Sequence, residues 1–549
     1  MIAEKNPDAA PKAGYDDLGY QIQILSNALT DRTRHIFTEP VLKLISALHQ
    51  QKNKGRLELL KKRKERQKAF DSGVLPTYEP KDSEAVSGSW KVAPLPEDLL
   101  QRRVEITGPV NSAKMVINML SRNDEGDRAD MAMLDFEDSM KPDWVNVIDG
   151  YHNVIGAANN TLREEKGGKV YEINPDDKAG VMVRVRGLHL AANNILVNGE
   201  PASAGITDLA VTFYHTAKIL TAQGKTPKYY IPKCEHYLEA RWWNDLFKLV
   251  QQLCGFPSGT LRATFLVETL TAAFQIEEIL YEIREHAAGL NTGRWDKIFS
   301  DIKVLKAHPR RIMADRATIT MQKYWMENYA KRIVLICHKR GAFAMGGMSA
   351  FTPGKTGELR DKQTKKVAED KAWESGLGHD GCWVSHPYFI GVALRQFTKK
   401  NQLDLIPDYA LYPDLIPSSE GPKSLDGLRT NIRVGIGYMN GWRQGIGCVA
   451  WDNLMEDLAT LEISRAQTWQ WKHHRVILRE GVTVDNALIT RIFDEELEKI
   501  RMEAAEAIAN EQQLKAVVDG FERAAEEAKR IFLQDELADF LAEGSEKAS

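Results

Sequence analysis

Within residues 101–400 short β-rich runs alternate with longer segments of helical periodicity, and no other feature limits the possible folds so sharply. The runs are 103–106, 131–135, 181–186, 228–232, 262–268, 295–299, 343–346 and 382–385, with amphipathic stretches such as 274–283 between them. Parallel strands need a crossover, and a helix is the usual one, so this alternation predicts parallel βα units. Eight such units in one stretch predict a closed α/β barrel, the (β/α)8 TIM barrel, rather than an open sheet.

The flanks read differently. Residues 1–30 suggest a loosely ordered lead-in, followed by Phe37, Val41, Leu44, Ile45 and Leu48 at helical spacing. The basic run Lys61-Lys62-Arg63-Lys64-Glu65-Arg66 continues that helix and reads as a solvated face rather than an anionic-surface binder. Pro76, Pro80, Gly88, Pro94 and Pro96 mark one connector; Pro407, Pro413 and Pro417 mark a second. Beyond it, Leu454, Leu458 and Leu461 form one apolar stripe. Ile489, Ile492, Phe493, Leu497 and Ile500 form a second, and Phe521, Ala525, Ala528 and Phe532 a third. The expected division is an N-terminal helical clasp and connector (1–100), the barrel (101–400) and a C-terminal helical plug (401–549).

Of the 549 residues, 73 Lys and Arg stand against 76 Asp and Glu, a net charge of −3 that offers no basic field for nucleic acid. Five scattered cysteines without a CxxC pair predict reduced, mostly buried thiols and no cysteine zinc site. Met1 to Gly14 does not resemble a secretory signal, no apolar run could span a bilayer, and Lys547-Ala548-Ser549 is not a peroxisomal signal. A soluble cytoplasmic enzyme, monomeric or homo-oligomeric, is expected.

Barrel chemistry sits where strands end. Strand two ends in Asp135-Phe136-Glu137-Asp138, strand three in Arg184-Val185-Arg186-Gly187 and strand five in Glu268, while the sixth segment carries Asp296. Carboxylates gathered at one mouth repel unless a cation joins them, and hard oxygen donors of this kind suit Mg²⁺. Each acid alone reads more simply as a helix cap or an arginine partner; their joint placement favours a site.

The stretch Arg284-Glu285-His286-Ala287-Ala288-Gly289-Leu290-Asn291-Thr292-Gly293-Arg294-Trp295-Asp296 resembles the signature of the malate synthase family, the A-type enzymes of the glyoxylate bypass. Other blocks agree, among them Arg103-Val104-Glu105-Ile106-Thr107-Gly108-Pro109, Asp135-Phe136-Glu137-Asp138-Ser139 and Leu454-Met455-Glu456-Asp457. The resemblance runs from about residue 35 to near the end. Lys297 departs from the usual Tyr, and Ser385 from the usual Ala. What it implies is Mg²⁺-dependent condensation of acetyl-CoA with glyoxylate, giving malate and CoA. It implies Asp457 as the general base and Arg184 as the cation beside the enolate oxygen. Glu268 and Asp296 would hold Mg²⁺, and main-chain N–H groups near Gly293 and Trp295 the glyoxylate carboxylate. Asp135 and Glu137 would be outer carboxylates, and Pro387 part of the CoA wall. Arg186 would point the same way as Arg184 if the strand continued regularly.

Other features are weaker. Pro353-Gly354-Lys355-Thr356 lacks the first glycine of a phosphate loop, because Ser349 occupies that place. Gly435-Ile436-Gly437 is too short for a dinucleotide fingerprint, and Trp469 and Trp471 read as helix-packing aromatics. The rival enzyme is a lyase acting on malyl-CoA or citramalyl-CoA, against which the helical plug bearing Asp457 speaks.

Overall fold

A computed structural model of the chain describes residues 14–541; residues 1–13 and 542–549, with most of the predicted signal-free N-terminus and the final tripeptide, lie outside the described residues. Eight parallel strands close into a barrel: β1 Val104–Pro109, β2 Met131–Asp135, β3 Gly180–Arg184, β4 Lys228–Ile231, β5 Arg262–Val267, β6 Ala287–Thr292, β7 Phe343–Ser349 and β8 Gly381–Val384. Each pairs with the next in sequence, and β8 closes on β1. The expected fold class holds.

The sixth strand is corrected. The run 295–299, read as a strand, is the start of the helix Trp295–Val304, and the strand lies earlier at Ala287–Thr292. Ile298, Phe299 and Ile302 are buried at helical spacing. The true strand is a run of small residues around Gly289 and carries little β-propensity; only burial between β5 and β7 makes it one. Two flanking expectations also change. In the lead-in, Tyr15–Asp17 and Ile22–Leu25 form strands in a small antiparallel sheet with Ala191–Val197 and Glu200–Ser203. Leu454 belongs to the strand Leu454–Glu456, paired with Val449–Trp451, whereas Leu458 and Leu461 lie on the helix Leu458–His473.

The clasp is the helix Glu39–Asp71, whose Val41, Leu44, Ile45 and Leu48 are buried as the spacing predicts. The basic run is not wholly solvated: Arg63 turns inward and donates to both carboxylate oxygens of Glu239 at 2.8 and 2.7 Å. The plug packs helices Leu425–Arg443, Leu458–His473, Asn486–Ala507 and Glu511–Phe532 over the C-terminal mouth of the barrel. Gly435 and Gly437 lie within the first of these, and Thr356 caps the helix Gly357–Leu377, so neither glycine motif forms a phosphate loop. The indoles of Trp469 and Trp471 donate to the carbonyls of Asp535 and Met313 and are packing residues. All five cysteines are unpaired. Among the described residues no helix is long and apolar enough to cross a membrane.

The barrel interior is not purely apolar. Met131, Met133, Met182, Leu266 and Trp383 surround a buried ion pair in which Arg102 donates to Glu105 at 2.7 Å and to the hydroxyls of Tyr230 and Thr264 at 2.9 Å each. Tyr230 and the Trp383 indole in turn donate to Glu105. Removing one member of a satisfied buried pair strands its partner's charge. Arg102→Met should therefore cost about 3–5 kcal/mol in chemical denaturation, far more than its loss of packing.

Candidate active site

The site is built where β2, β3, β4, β5 and β6 end. Arg184 and Asp135 are register partners at the last positions of β3 and β2. Their side chains meet in a bidentate pair, Nε to Oδ1 at 2.6 Å and Nη2 to Oδ2 at 2.5 Å. Asp135 also accepts from the N–H groups of Glu137 and Ser139 at 2.8 and 2.9 Å and from the Ser139 hydroxyl at 2.5 Å. Burial works against its charge, but Arg184 and Ser139 outweigh that and hold the carboxyl below its ordinary value. Arg184 keeps Nη1 for longer contacts, 3.5 Å to Glu137 and 3.9 Å to Asp138.

Arg186 does not join it. The strand ends at Arg184, and Arg186 turns to Asp208 on the helix Ala204–Ala222, at 3.0 Å from Nε and 2.8 Å from Nη2. The regular alternation assumed for Arg186 stops two residues before it.

Glu268 follows β5 and accepts from the Lys233 N–H at 2.8 Å. Asp296 lies in the first turn of Trp295–Val304, not on a strand, and its Oδ1 stands 3.3 Å from the Lys233 ammonium. Burial raises the carboxyls of Glu268 and Asp296, and Glu137 rises well above its ordinary value from burial and the nearby Asp138. Gly293 sits so close to Glu268 that a Cβ there would lie 2.7 Å from the Glu268 Cβ. Its N–H donates to the Tyr329 hydroxyl at 2.9 Å, so one donor of the expected nest is already engaged. Trp295 stacks under the Arg294 guanidinium at 4.4 Å from its ring centre.

Asp457 comes from the plug. It caps the helix Leu458–His473 in a reciprocal box: its Oδ1 accepts from the Thr460 N–H at 3.2 Å, and the Thr460 hydroxyl accepts from its own N–H at 3.0 Å. The plug is tied to the barrel beside it. Leu458 N–H donates to the Asp138 carbonyl at 3.3 Å, and Arg316 Nη2 donates to Glu456 at 2.7 Å. Burial, then the charge of Asp138, pushes the Asp457 carboxyl up to about 7.

Asp457, Arg184, Ser139 and Pro387 line one cavity of about 830 Å³ that opens past Lys114, Lys169, Lys355 and Arg360. Pro387 begins the turn after β8, and its carbonyl accepts from Asn123 at 3.0 Å.

The residues fit a divalent cation. Six buried acids (Asp135, Glu137, Asp138, Glu268, Asp296 and Asp457) face two buried cations, Arg184 and Lys233. Glu137 Oε2, Asp138 Oδ1 and Asp296 Oδ1 accept no hydrogen bond. Among the described residues no three His, Cys, Asp or Glu side chains form a ready-made cage. Magnesium does not require one, since it binds through one or two carboxylates and fills its shell with water and substrate.

Lys233 and Asp138 carry no expected role in the sequence, yet Lys233 Nζ holds Glu137 and Asp138 at 2.8 and 2.7 Å. The strand-end rule that finds Glu268 points equally to Pro232-Lys233 after β4. A search for acids and arginines passes over it.

Acids and a fixed guanidinium at the C-terminal mouth of a (β/α)8 barrel, roofed by a helical domain bearing one more acid, define a barrel enzyme with a second domain over its mouth. The comparisons narrow the class. The family model for the malate synthase TIM barrel domain matches residues 180–408, and that for the malate synthase C-terminal region matches residues 423–547. Malate synthase A of Escherichia coli (strain K12) is 39% identical over 520 residues, covering 93% of this chain and 95% of the relative. Malate synthase of Myxococcus xanthus (strain DK1622) is 43% identical, covering 86% and 87%. Glyoxysomal malate synthase of Candida tropicalis is 41% identical, covering 88% and 89%. The chain belongs to the malate synthase family.

The raised Asp457 carboxyl has a consequence for stability. A carboxyl that takes up its proton more readily when folded contributes stability that is whole below the unfolded value of about 4 and is lost as pH rises through about 7. Asparagine caps a helix as well as aspartate does. Asp457→Asn should exceed the parent in stability by on the order of 1 kcal/mol at about pH 8, and match it at about pH 4, in urea titrations at each pH.

Proposed function

We propose that this chain condenses acetyl-CoA with glyoxylate and, with one water, hydrolyses the malyl-CoA thioester to malate and CoA. The observation that carries this reading is the convergence of Asp457 and Arg184, from different domains, on one cavity rimmed by basic side chains.

Asp457, when ionised, removes a proton from the thioester methyl. A carboxyl with its value near 7 is matched to that work at neutral pH, being a stronger base than an exposed carboxylate while about half of it is ionised. The methylene carbon then attacks the aldehyde carbon of glyoxylate. Negative charge collects on the thioester oxygen before that bond forms. Arg184 meets it with a guanidinium already oriented by Asp135, leaving Nη1 as the edge for an oxyanion. Glu268 and Asp296 would hold the cation, with Glu137 in the surrounding shell; Mg²⁺ when bound orients and polarises the glyoxylate oxygens. The start of the helix Trp295–Val304 would offer its positive end to the substrate's carboxylate. Lys114, Lys169, Lys355 and Arg360 suit the phosphates of CoA, and Tyr171 offers an aromatic face beside Lys114. The five unpaired thiols suit the reducing cytoplasm where we place the protein.

Purified protein should release CoA thiol only when acetyl-CoA, glyoxylate and Mg²⁺ are all present, and a chelator should abolish the signal until Mg²⁺ is restored. The rate should rise with pH through a midpoint near 7 as Asp457 ionises. Asp457→Asn should be inactive, and Arg184→Lys should lose about 10²–10³ in kcat. Cleavage of malyl-CoA without net thiol release would instead mark a lyase.

The basic rim is tested separately. Replacing Lys114 and Lys355 together by alanine should raise KM for acetyl-CoA about tenfold with kcat nearly unchanged, since the reading assigns both to the phosphates of CoA and neither to a chemical step.

A further inference from the structure

Lys233, just beyond β4, holds a left-handed backbone with φ of 51°, which a lysine adopts only where its surroundings impose it. Contacts on every side impose it. The Lys233 N–H donates to Glu268 Oε1 at 2.8 Å. Its carbonyl accepts from Arg63 Nη2 of the clasp helix at 2.7 Å. Its ammonium reaches Glu137 at 2.8 Å, Asp138 at 2.7 Å and Asp296 at 3.3 Å. Arg63 is itself fixed, donating to Glu239 with Nε and Nη2. The basic run of the clasp thus reaches the barrel mouth through one buried arginine.

We propose that Lys233 is a positioning residue with two opposed actions on the divalent-cation site, and that Arg63 is the clasp residue that holds it in place. This rests on the reading of Glu268 and Asp296 as the cation's ligands. Through its main chain Lys233 steadies Glu268, which favours the cation. Through its side chain it faces Asp296 and opposes the cation, because an ammonium 3.3 Å from a ligand oxygen repels an arriving dication. The ammonium rests closer to Glu137 and Asp138, at 2.8 and 2.7 Å, than to Asp296. There it neutralises two acids that would otherwise disfavour an enolate beside Asp457.

The two actions separate by mutation. Lys233→Met keeps the main-chain donor and loses the ammonium; Arg63→Met keeps the ammonium and releases the carbonyl. Binding of Mn²⁺ to the full-length protein without substrates, followed by electron paramagnetic resonance, reads the site independently of turnover. Lys233→Met should bind Mn²⁺ on the order of tenfold more tightly, yet lose at least about tenfold in kcat with KM for acetyl-CoA little changed. Arg63→Met should bind it about tenfold more weakly, as losses behind a ligand usually do. Circular dichroism checks each fold, and if Arg63→Met is not native the sign of the Lys233→Met shift decides alone. Weaker binding in Lys233→Met, or parental binding and turnover in both variants, overturns the inference. A parent that releases no thiol while the opposed Mn²⁺ shifts persist overturns the proposed reaction and leaves this inference standing.

Discussion

An excess of buried negative charge at the barrel mouth governs this structure. Six acids converge where five strands end, and among the described residues Arg184 and Lys233 answer them. Charges removed from water in such numbers are tolerable only when paired, protonated or joined by a further cation. The mouth uses the first two and is suited to the third. Asp135 is paired with Arg184 and held ionised, while Asp457 and Asp296 are pushed toward the protonated form by burial. The uncompensated remainder is what the proposed divalent ion would neutralise. In the proposed reading the same charge distribution sets apart a base, Asp457, and an oxyanion partner, Arg184, which line one cavity, from the acids that would seat a cation.

Pairing also explains the two flanking domains. Asp457 reaches the cavity because the plug is pinned beside it, by Arg316 to Glu456 and by the Leu458 N–H to the Asp138 carbonyl. The capping box then sets the direction of its carboxylate at the start of a buried helix. On the opposite side the clasp sends Arg63 to Glu239 and to the Lys233 carbonyl. Below the mouth, the Arg102 and Glu105 pair fills the barrel interior with a satisfied polar network instead of a second charged cavity. Each domain contributes a side chain whose partner belongs to another, so the site is complete only in the assembled chain.

Much of this was legible in the chain itself, for reasons that differ from element to element. Seven of the strands announce themselves by apolar β-rich runs, and the clasp helix by Val41, Leu44, Ile45 and Leu48. Strand six did not, because Ala287–Thr292 has one bulky residue, Leu290, and no β-branching before its last residue, while the aromatic residues that follow it belong to a helix face. Asp135, Arg184 and Glu268 follow from the rule that chemistry lies at strand ends. Arg186 obeys the same spacing but is drawn off by Asp208, a residue on a later helix that no local pattern connects to it. Arg63 is similar: its run looks solvated until Glu239 is folded beneath it.

The sequence by itself determined the periodicities, hence the parallel barrel with helical flanks, and it supplied the acids and arginines in an order that resembles one family. Those properties are local, carried by spacings of two to four residues or by contiguous blocks. Tertiary structure alone decided which charges meet. Lys233 joins Glu137, Asp138, Asp296 and Glu268 across four strand ends, and Asp457 arrives over them from a separate domain. Interaction between charges, and the cost of burying them, depend on distance and dielectric, and both are properties of the closed barrel rather than of any segment within it.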